Sequence, residues 1–290
     1  MLREVIGFTA EDDLILNGHI SKSKENTGKV LIQIHGMTSN CFKEREKIIA
    51  EKLQELNIDT ICFNNRGSEI IRYAKKIDET KMLAGTSYED IEESYYDIVG
   101  AIEYALELGY TDIYLQGHSL GSSKIVYTYN ELKKENSQLL KNIKGIILLS
   151  LVDLTESFNE YLTPEIIDYA DKKEKEGNLL ELMPNASFMH LISVKSFLRY
   201  TKYNQKINFA KYDDKDNEFK ELNNIDCPLF MRWGNNGEFI KQDAKELVEF
   251  LDEKINNPNK DINYIDGADH AYSEKEEMLA KEIAVFLNKC

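Results

Sequence analysis

The chain has 290 residues, 42% of them hydrophobic and 30% charged, and carries a formal net charge of −15 at pH 7. A carboxylate surplus of this kind argues against nucleic acid as a partner, because phosphate binding draws on clustered Lys and Arg. No apolar run approaches the roughly 20 residues that span a bilayer, so no membrane span is expected either.

Apolar patches recur along the chain with no Pro/Gly/Ser-rich linker between them, which predicts a single domain over 1–290 carrying an insertion. The N-terminus meets Glu11-Asp12-Asp13 too soon to hold a signal-peptide core, and Cys41, Cys62, Cys227 and Cys290 show no C-x-x-C spacing. The expected setting is the cytoplasm with reduced thiols.

In chain order, Glu4 to Thr9 and Leu14 to Ile20 read as an antiparallel hairpin about the Glu-Asp-Asp turn, with His19 on the surface of its strand. Val30 to Ile34 is a continuous apolar run, the mark of a central parallel strand, and His35-Gly36-Met37 ends it. Phe42 to Leu56 has a helical period. Asp59 to Phe63 is the next strand and Asn64-Asn65-Arg66-Gly67 its turn; Ser68 to Gly85, without clear period, reads as loop. Thr86-Ser87-Tyr88-Glu89 has the form of a capping box opening a helix with Ile91, Tyr95, Ile98, Ile102, Ala105 and Leu108 on one face.

Ile113 to Gln116 is a short β-prone run, followed at once by Gly117-His118-Ser119-Leu120-Gly121 and then by a helix. Strand, sharp turn and helix are the setting that a G-x-S-x-G nucleophile requires, with its serine hydroxyl pushed outward. Gly145 to Ser150 and Pro228 to Gly234 are further buried strands. Between them Leu154 to Asp226 is Tyr-rich, helical in period and free of strands of the buried kind, and is expected to be an inserted cap over 154–226. Asp261 to Ile265 is the last strand, Gly267-Ala268-Asp269-His270 its turn, and Glu276 to Leu287 a closing amphipathic helix. Alternating strands and helices predict an α/β fold with a mostly parallel sheet covered by helices on both faces.

His35-Gly36, Asn64-Asn65-Arg66-Gly67, Gly-His-Ser-Leu-Gly and Gly-Ala-Asp-His, each in its place and order, resemble the α/β-hydrolase superfamily, and within it the small serine hydrolases and carboxylesterases. The resemblance covers nearly the whole chain outside the cap. It implies an eight-stranded sheet, a nucleophile at Ser119, a base at His270 and an acid between them in sequence. It also implies an oxyanion hole from the backbone amides of Leu120 and, after the HG strand, Met37. On chemical grounds a serine needs a base to take its proton, and an imidazole on the loop after the final strand, at the same sheet edge, is suited to do so. This chemistry needs no metal or cofactor, and no residues with metal-ligand spacing appear.

At the acid position the chain departs from the pattern. Where Asp is usual three residues after Gly234 stands Gly237, with Glu238 next. Glu238 is the first candidate and Asp153, after the preceding strand, the alternative; a Ser-His dyad with neither acid stays open. Asp266 and Asp269 are expected to shape the turn before His270. Between Met183 and Tyr212 the chain has Lys195, Arg199, Lys202, Lys206 and Lys211 and no acid. Lys195, Arg199 and Lys202 are therefore candidates for the substrate pocket, drawing a carboxylate or phosphate, unless the stripe is a solvated face paired with acids elsewhere. The expected activity is hydrolysis of a small-molecule acyl ester through an acyl-enzyme. The alternatives are a thioesterase or amidase on the same site, or a non-catalytic binding protein of this fold.

Overall fold

The computed structural model describes residues 2–159, 162–184 and 191–290. The chain opens with β1 (Arg3–Thr9) and β2 (Ile15–Ser21), then β3 (Lys29–Ile34), α1 (Glu44–Leu53) and β4 (Asp59–Asn64). A small hairpin, β5 (Arg72–Lys75) and β6 (Lys81–Ala84), precedes α2 (Ser94–Glu107), β7 (Asp112–His118), α3 (Leu120–Lys134) and β8 (Ile143–Leu149). The segment 154–226 contains α4 (Leu154–Asn159), α5 (Pro164–Lys175), α6 (Val194–Thr201) and α7 (Lys220–Asn223). The chain closes with β9 (Leu229–Gly234), α8 (Ala244–Lys254), β10 (Lys260–Ile265) and α9 (Glu276–Leu287).

The main sheet has eight strands in the order β1-β2-β4-β3-β7-β8-β9-β10. All neighbours from β4 to β10 pair in parallel, while β2 runs antiparallel to both β1 and β4. The apolar run of β3 is buried on both faces because its side chains alternate between two cores. Val30, Ile32 and Ile34 join the core formed with α2, α3 and α8, and Leu31 joins the one formed with α1 and α9. A third cluster packs Leu154 and Phe158 of α4 with Phe197, Leu198 and Tyr200 of α6, under which lie Leu120 and Val152.

Strand order reverses at β3, which has β4 on one side and β7 on the other. The turns leaving β3 and β7 therefore diverge around a crevice at the carboxyl edge of the sheet, the place where open α/β sheets bind ligands.

Three local expectations are corrected. Ser68 to Gly85 is not loop throughout, since β5 and β6 pair from Arg72↔Ala84 to Lys75↔Lys81; strands this short leave no readable alternation. His19 is buried, not on the surface: the loop before α1 folds over β2, so that His19 Nε2 meets the Cys41 carbonyl at 2.9 Å and its ring packs on Phe42. The helix expected from Thr86 begins at Ser94, after a 3-10 turn at Ile91–Glu93 capped by Asp90, whose carboxylate accepts from Glu92 N at 3.3 Å. Glu89 is instead drawn inward by Lys124 of α3, with the two side chains 2.7 Å apart and 0–1% exposed.

Candidate active site

Ser119 caps α3 at φ 55°, ψ −126°, a conformation that L-residues adopt only when the surrounding structure holds them there. Two contacts do so: Ser119 N donates to the Leu149 carbonyl at 2.8 Å, and the Ser119 carbonyl accepts from Ser122 N at 2.9 Å. Gly121 lets the start of α3 lie directly on β3, because a Cβ there would sit 2.3 Å from the Ile34 carbonyl oxygen and 2.8 Å from that of His35. Gly121→Ala is expected to destabilise the fold by about 1–3 kcal/mol, through backbone that cannot move aside, measured as a lowered urea midpoint at unchanged slope. Gly36 serves the approach from the other side. A Cβ on it would meet the His118 carbonyl oxygen at 2.9 Å and the Ser119 Cβ at 3.0 Å, so only glycine brings the turn after β3 this close to the serine.

Ser119 and His270 line one cavity of about 620 Å³, together with Gly36, Met37 and Leu120. Among the described residues no hydrogen bond joins Ser119 Oγ to the imidazole, a looseness common in unliganded sites. The Leu120 N–H, first in α3, has no acceptor within the helix, and Leu120 lines the same cavity as Met37. The lining includes the apolar Leu120, Val152, Leu154, Phe158 and Phe239 and the charged Lys43, Glu44 and Glu276.

His270 is held from three directions. Its Nδ1 is hydrogen-bonded to Glu238 Oε1. Its backbone carbonyl accepts from His118 Nε2 at 2.7 Å, and Phe239 packs edge-on to its ring at 4.6 Å. Because a carbonyl can only accept, the proton of His118 sits on Nε2; burial, then Arg45 and His270, push the His118 imidazole well below its ordinary range and keep it neutral. Arg45 of α1 fixes the same loop by donating to the Ala271 carbonyl at 3.2 Å.

The Glu238 carboxylate has every lone-pair direction used. Oε2 accepts from Ser150 Oγ at 2.6 Å and Gly234 N at 3.1 Å; Oε1 accepts from Phe239 N at 3.0 Å besides His270. Burial would raise this carboxyl, but the hydrogen bonds from His270, Ser150 and Gly234 outweigh it and hold it below the ordinary glutamate value. Tyr272 completes the support, its hydroxyl lying 3.1 Å from Ser150 Oγ and donating to the Arg232 carbonyl at 2.7 Å.

Asp153 is placed elsewhere. It accepts from Glu156 N at 3.1 Å at the start of α4 and from Tyr212 N at 3.3 Å, so it ties α4 to the stretch before α7. Asp269 shapes its turn as expected, accepting from Ala271 N and Ser273 N at 3.0 and 2.8 Å. His35 braces the turn after β3 through Asn65 N, which donates to its Nε2 at 3.2 Å; burial and the nearby Lys124 lower its pKa to about 3. His190 falls outside the described residues.

The basic stripe is a correction. Lys195 pairs with Glu93, Arg199 with Asp90 and Glu92, and Lys202 with Asp171 and Glu174, and none of the three lines the cavity. Their acids lie on the approach to α2 and on α5, so the stripe fastens α6 to its neighbours instead of facing a substrate. Ser150, Tyr272, Phe239 and His118 are the contributors that the motifs did not single out. Ser150 and Tyr272 have positive φ, at 47° and 62°, a property with no signature in their residue types.

No family model matches the chain, and no curated protein does. Solved structures do. Est1E from Butyrivibrio proteoclasticus, in a structure with ferulic acid bound, is 19% identical over 97% of this chain and 98% of its own, with a TM-score of 0.63. An esterase from Pyrococcus furiosus is 18% identical over 99% of this chain and 91% of its own, at 0.60. The α/β-hydrolase GrgF from a Penicillium species is 16% identical over 100% of this chain and 99% of its own, at 0.68.

Proposed function

The chain has the α/β-hydrolase fold, and on that fold we propose that it is a serine hydrolase cleaving carboxylic esters through an acyl-enzyme. The observation that carries the reading is the hydrogen bond between Glu238 and His270 Nδ1 in the cavity that Ser119 enters on its strained turn. Similarity to structures described as an esterase and as hydrolases supports it.

In this mechanism His270 Nε2 takes the proton of Ser119 Oγ as the oxygen attacks the ester carbonyl. Charge on the carbonyl oxygen is met by the backbone N–H groups of Met37 and Leu120. As the tetrahedral intermediate collapses, the ester C–O bond breaks and His270 returns the proton to the leaving alkoxide. Water then repeats the sequence on the acyl-enzyme and releases the acid. Glu238 holds the proton on Nδ1, which keeps Nε2 free to accept. The apolar wall of Leu120, Val152, Leu154 and Phe158 takes a small or medium acyl group, with the 154–226 segment as its cap. Free thiols at all four cysteines support a cytoplasmic setting.

The test is a fluorophosphonate probe with a graded series of p-nitrophenyl esters. One covalent adduct per chain, at Ser119, and a kcat/KM maximum within the short-to-medium acyl range are expected. Failure to react with the probe would move the chain to a non-catalytic role. A thioester or amide turned over in preference to every ester would leave the site in place and change the substrate class.

A further inference from the structure

Lys124 lies on α3 little more than one turn past Ser119, and it is buried. Its Nζ donates to Glu89 Oε2 at 2.7 Å and to Asn65 Oδ1 at 3.2 Å. A buried ion pair does little for stability, since desolvation of both charges offsets their attraction and apolar residues of the same volume hold a core as well. What an apolar residue in this place could not do is donate to Asn65. Asn65 Oδ1 accepts from Lys124 Nζ and from Gly67 N at 3.0 Å, two groups that can only donate. The amide NH₂ is therefore turned the other way, toward the His35 carbonyl at 3.4 Å.

Asn65 fixes the His35 ring as well. Its backbone N–H donates to His35 Nε2 at 3.2 Å, which makes Nε2 an acceptor and places the ring proton on Nδ1. From there it is donated to the Gly36 carbonyl at 2.9 Å, which also accepts from Ser39 N at 3.4 Å. Burial, and then Lys124, keep this imidazole neutral, so one tautomer persists across the working pH range. The Gly36 carbonyl and the Met37 N–H belong to one peptide plane, and in a trans peptide they point in opposite directions. Holding the carbonyl against the His35 ring therefore turns the Met37 N–H away from that ring. Among the described residues this N–H has no acceptor, and Gly36 and Met37 both line the cavity that holds Ser119.

We propose that Lys124 is a positioning residue of the oxyanion hole, setting the direction of the Met37 N–H through Asn65 and His35; this role rests on the serine hydrolase reading. Glu89 is the counter-charge that keeps Lys124 where it donates, and its other oxygen is held by the Tyr200 hydroxyl at 2.8 Å. Without the Lys124 donor the Asn65 amide can turn over, the His35 carbonyl loses its side-chain donor, and the peptide carrying the Met37 N–H is held less tightly. An oxyanion donor is worth about 10²–10³ in kcat and a misplacement of about 1 Å costs about 10², so a loosened donor falls below the full loss.

Lys124→Met fills the space of the lysine stem, and Glu89→Gln is combined with it so that no carboxylate is stranded and the Tyr200 hydroxyl keeps an acceptor. In Lys124→Met/Glu89→Gln, kcat on the best p-nitrophenyl ester, per site that reacts with the fluorophosphonate probe, should fall about thirtyfold with KM within about twofold. Affinity for the matching trifluoromethyl ketone, which Ser119 Oγ attacks to give an oxyanion, should fall by the same factor. The acid limb of the pH profile, set by His270, should stay where it is. A merely structural role would lower the melting temperature and leave kcat and ketone affinity per reactive site unchanged, which would overturn the proposal. A displaced acid limb would put the effect on the base and overturn it too. If the double variant does not fold, Asn65→Asp keeps the acceptor for Lys124 and Gly67 and removes the donor to the His35 carbonyl; the same pattern is expected there, and unchanged kcat would overturn the proposal. Wild-type protein that forms no adduct with the probe would remove the hydrolase reading itself, whereas a reactive wild type matched by its variants removes only the role of Lys124.

Discussion

Ser119→Ala is expected to lower turnover of the best p-nitrophenyl ester by on the order of 10⁶, with the melting temperature unchanged or raised. The loss is this large because removing the oxygen eliminates the acyl-enzyme altogether, leaving only binding and the oxyanion donors to act on water. The direction on stability follows from the backbone. A residue held at φ 55° stores strain in the folded state, and alanine carries the same strain without a hydroxyl to desolvate. Retention of more than a few per cent of activity by a pure, folded variant would remove Ser119 from the chemistry. Ser122 is no substitute, since its hydroxyl is buried and donates to the Leu149 carbonyl at 3.0 Å.

Glu238→Gln should lower kcat by up to roughly 10⁴, while Asp153→Asn changes it little. All four groups around the Glu238 carboxylate are donors: Ser150 Oγ, the N–H groups of Gly234 and Phe239, and His270 Nδ1. A glutamine has to turn its NH₂ toward one pair of them. Facing His270, it asks Nδ1 to accept, which moves the ring proton to Nε2 and blocks the base; facing Ser150 and Gly234, it leaves two donors opposed. Asp153 makes its bonds to α4 and Tyr212, so its loss is expected in stability. The reverse ranking of the two variants would transfer the acid role to Asp153, and indifference to both would leave a Ser-His dyad.

The sign of the pH effect can be fixed as well. A carboxyl held below its ordinary value of 4.5 contributes stability that is present above that value and is lost as pH falls through its lower folded-state value. The gap in melting temperature between wild type and Glu238→Gln should therefore narrow below pH 4.5 and stay level above it.

Much of this arrangement is legible in the sequence. The HG turn, the elbow and the final histidine turn each follow a strand-like run, so the carboxyl edge of the sheet could be located from the sequence, and the motifs with the resemblance they carry pointed to Ser119 and His270 there. Glu238 was legible only as one of two acids, because a one-residue offset can be weighed only when the loop that absorbs it is seen; Gly237, at φ 76°, is where the chain turns to bring the carboxylate back. Burial of charge was not legible. Lys124 looked like any lysine on a helix, and Glu89 like the end of a capping box, until a fold brought them together across 35 positions. The basic stripe of α6 misled for the same reason: its partners at Asp90, Glu92, Glu93, Asp171 and Glu174 are distant in sequence and adjacent in space.

That buried pair also constrains how a substrate reaches the serine. Lys124 Nζ donates to Asn65 as well as to Glu89, Asn65 N donates to His35 at the turn after β3, and Glu89 accepts from the Tyr200 hydroxyl of α6 at 2.8 Å. A gate that swung α6 outward would strip Glu89 of that donor, at a cost of about 1–3 kcal/mol, and would wet an ion pair now sealed from water. α6 therefore behaves as a fixed doorpost, tied through buried polar groups to the turn after β3 that carries the proposed oxyanion donor Met37. On the α4 side the cavity is lined by Val152, Leu154 and Phe158 with Ser157, and no such buried polar tie to Glu89 or Lys124 is seen there among the described residues.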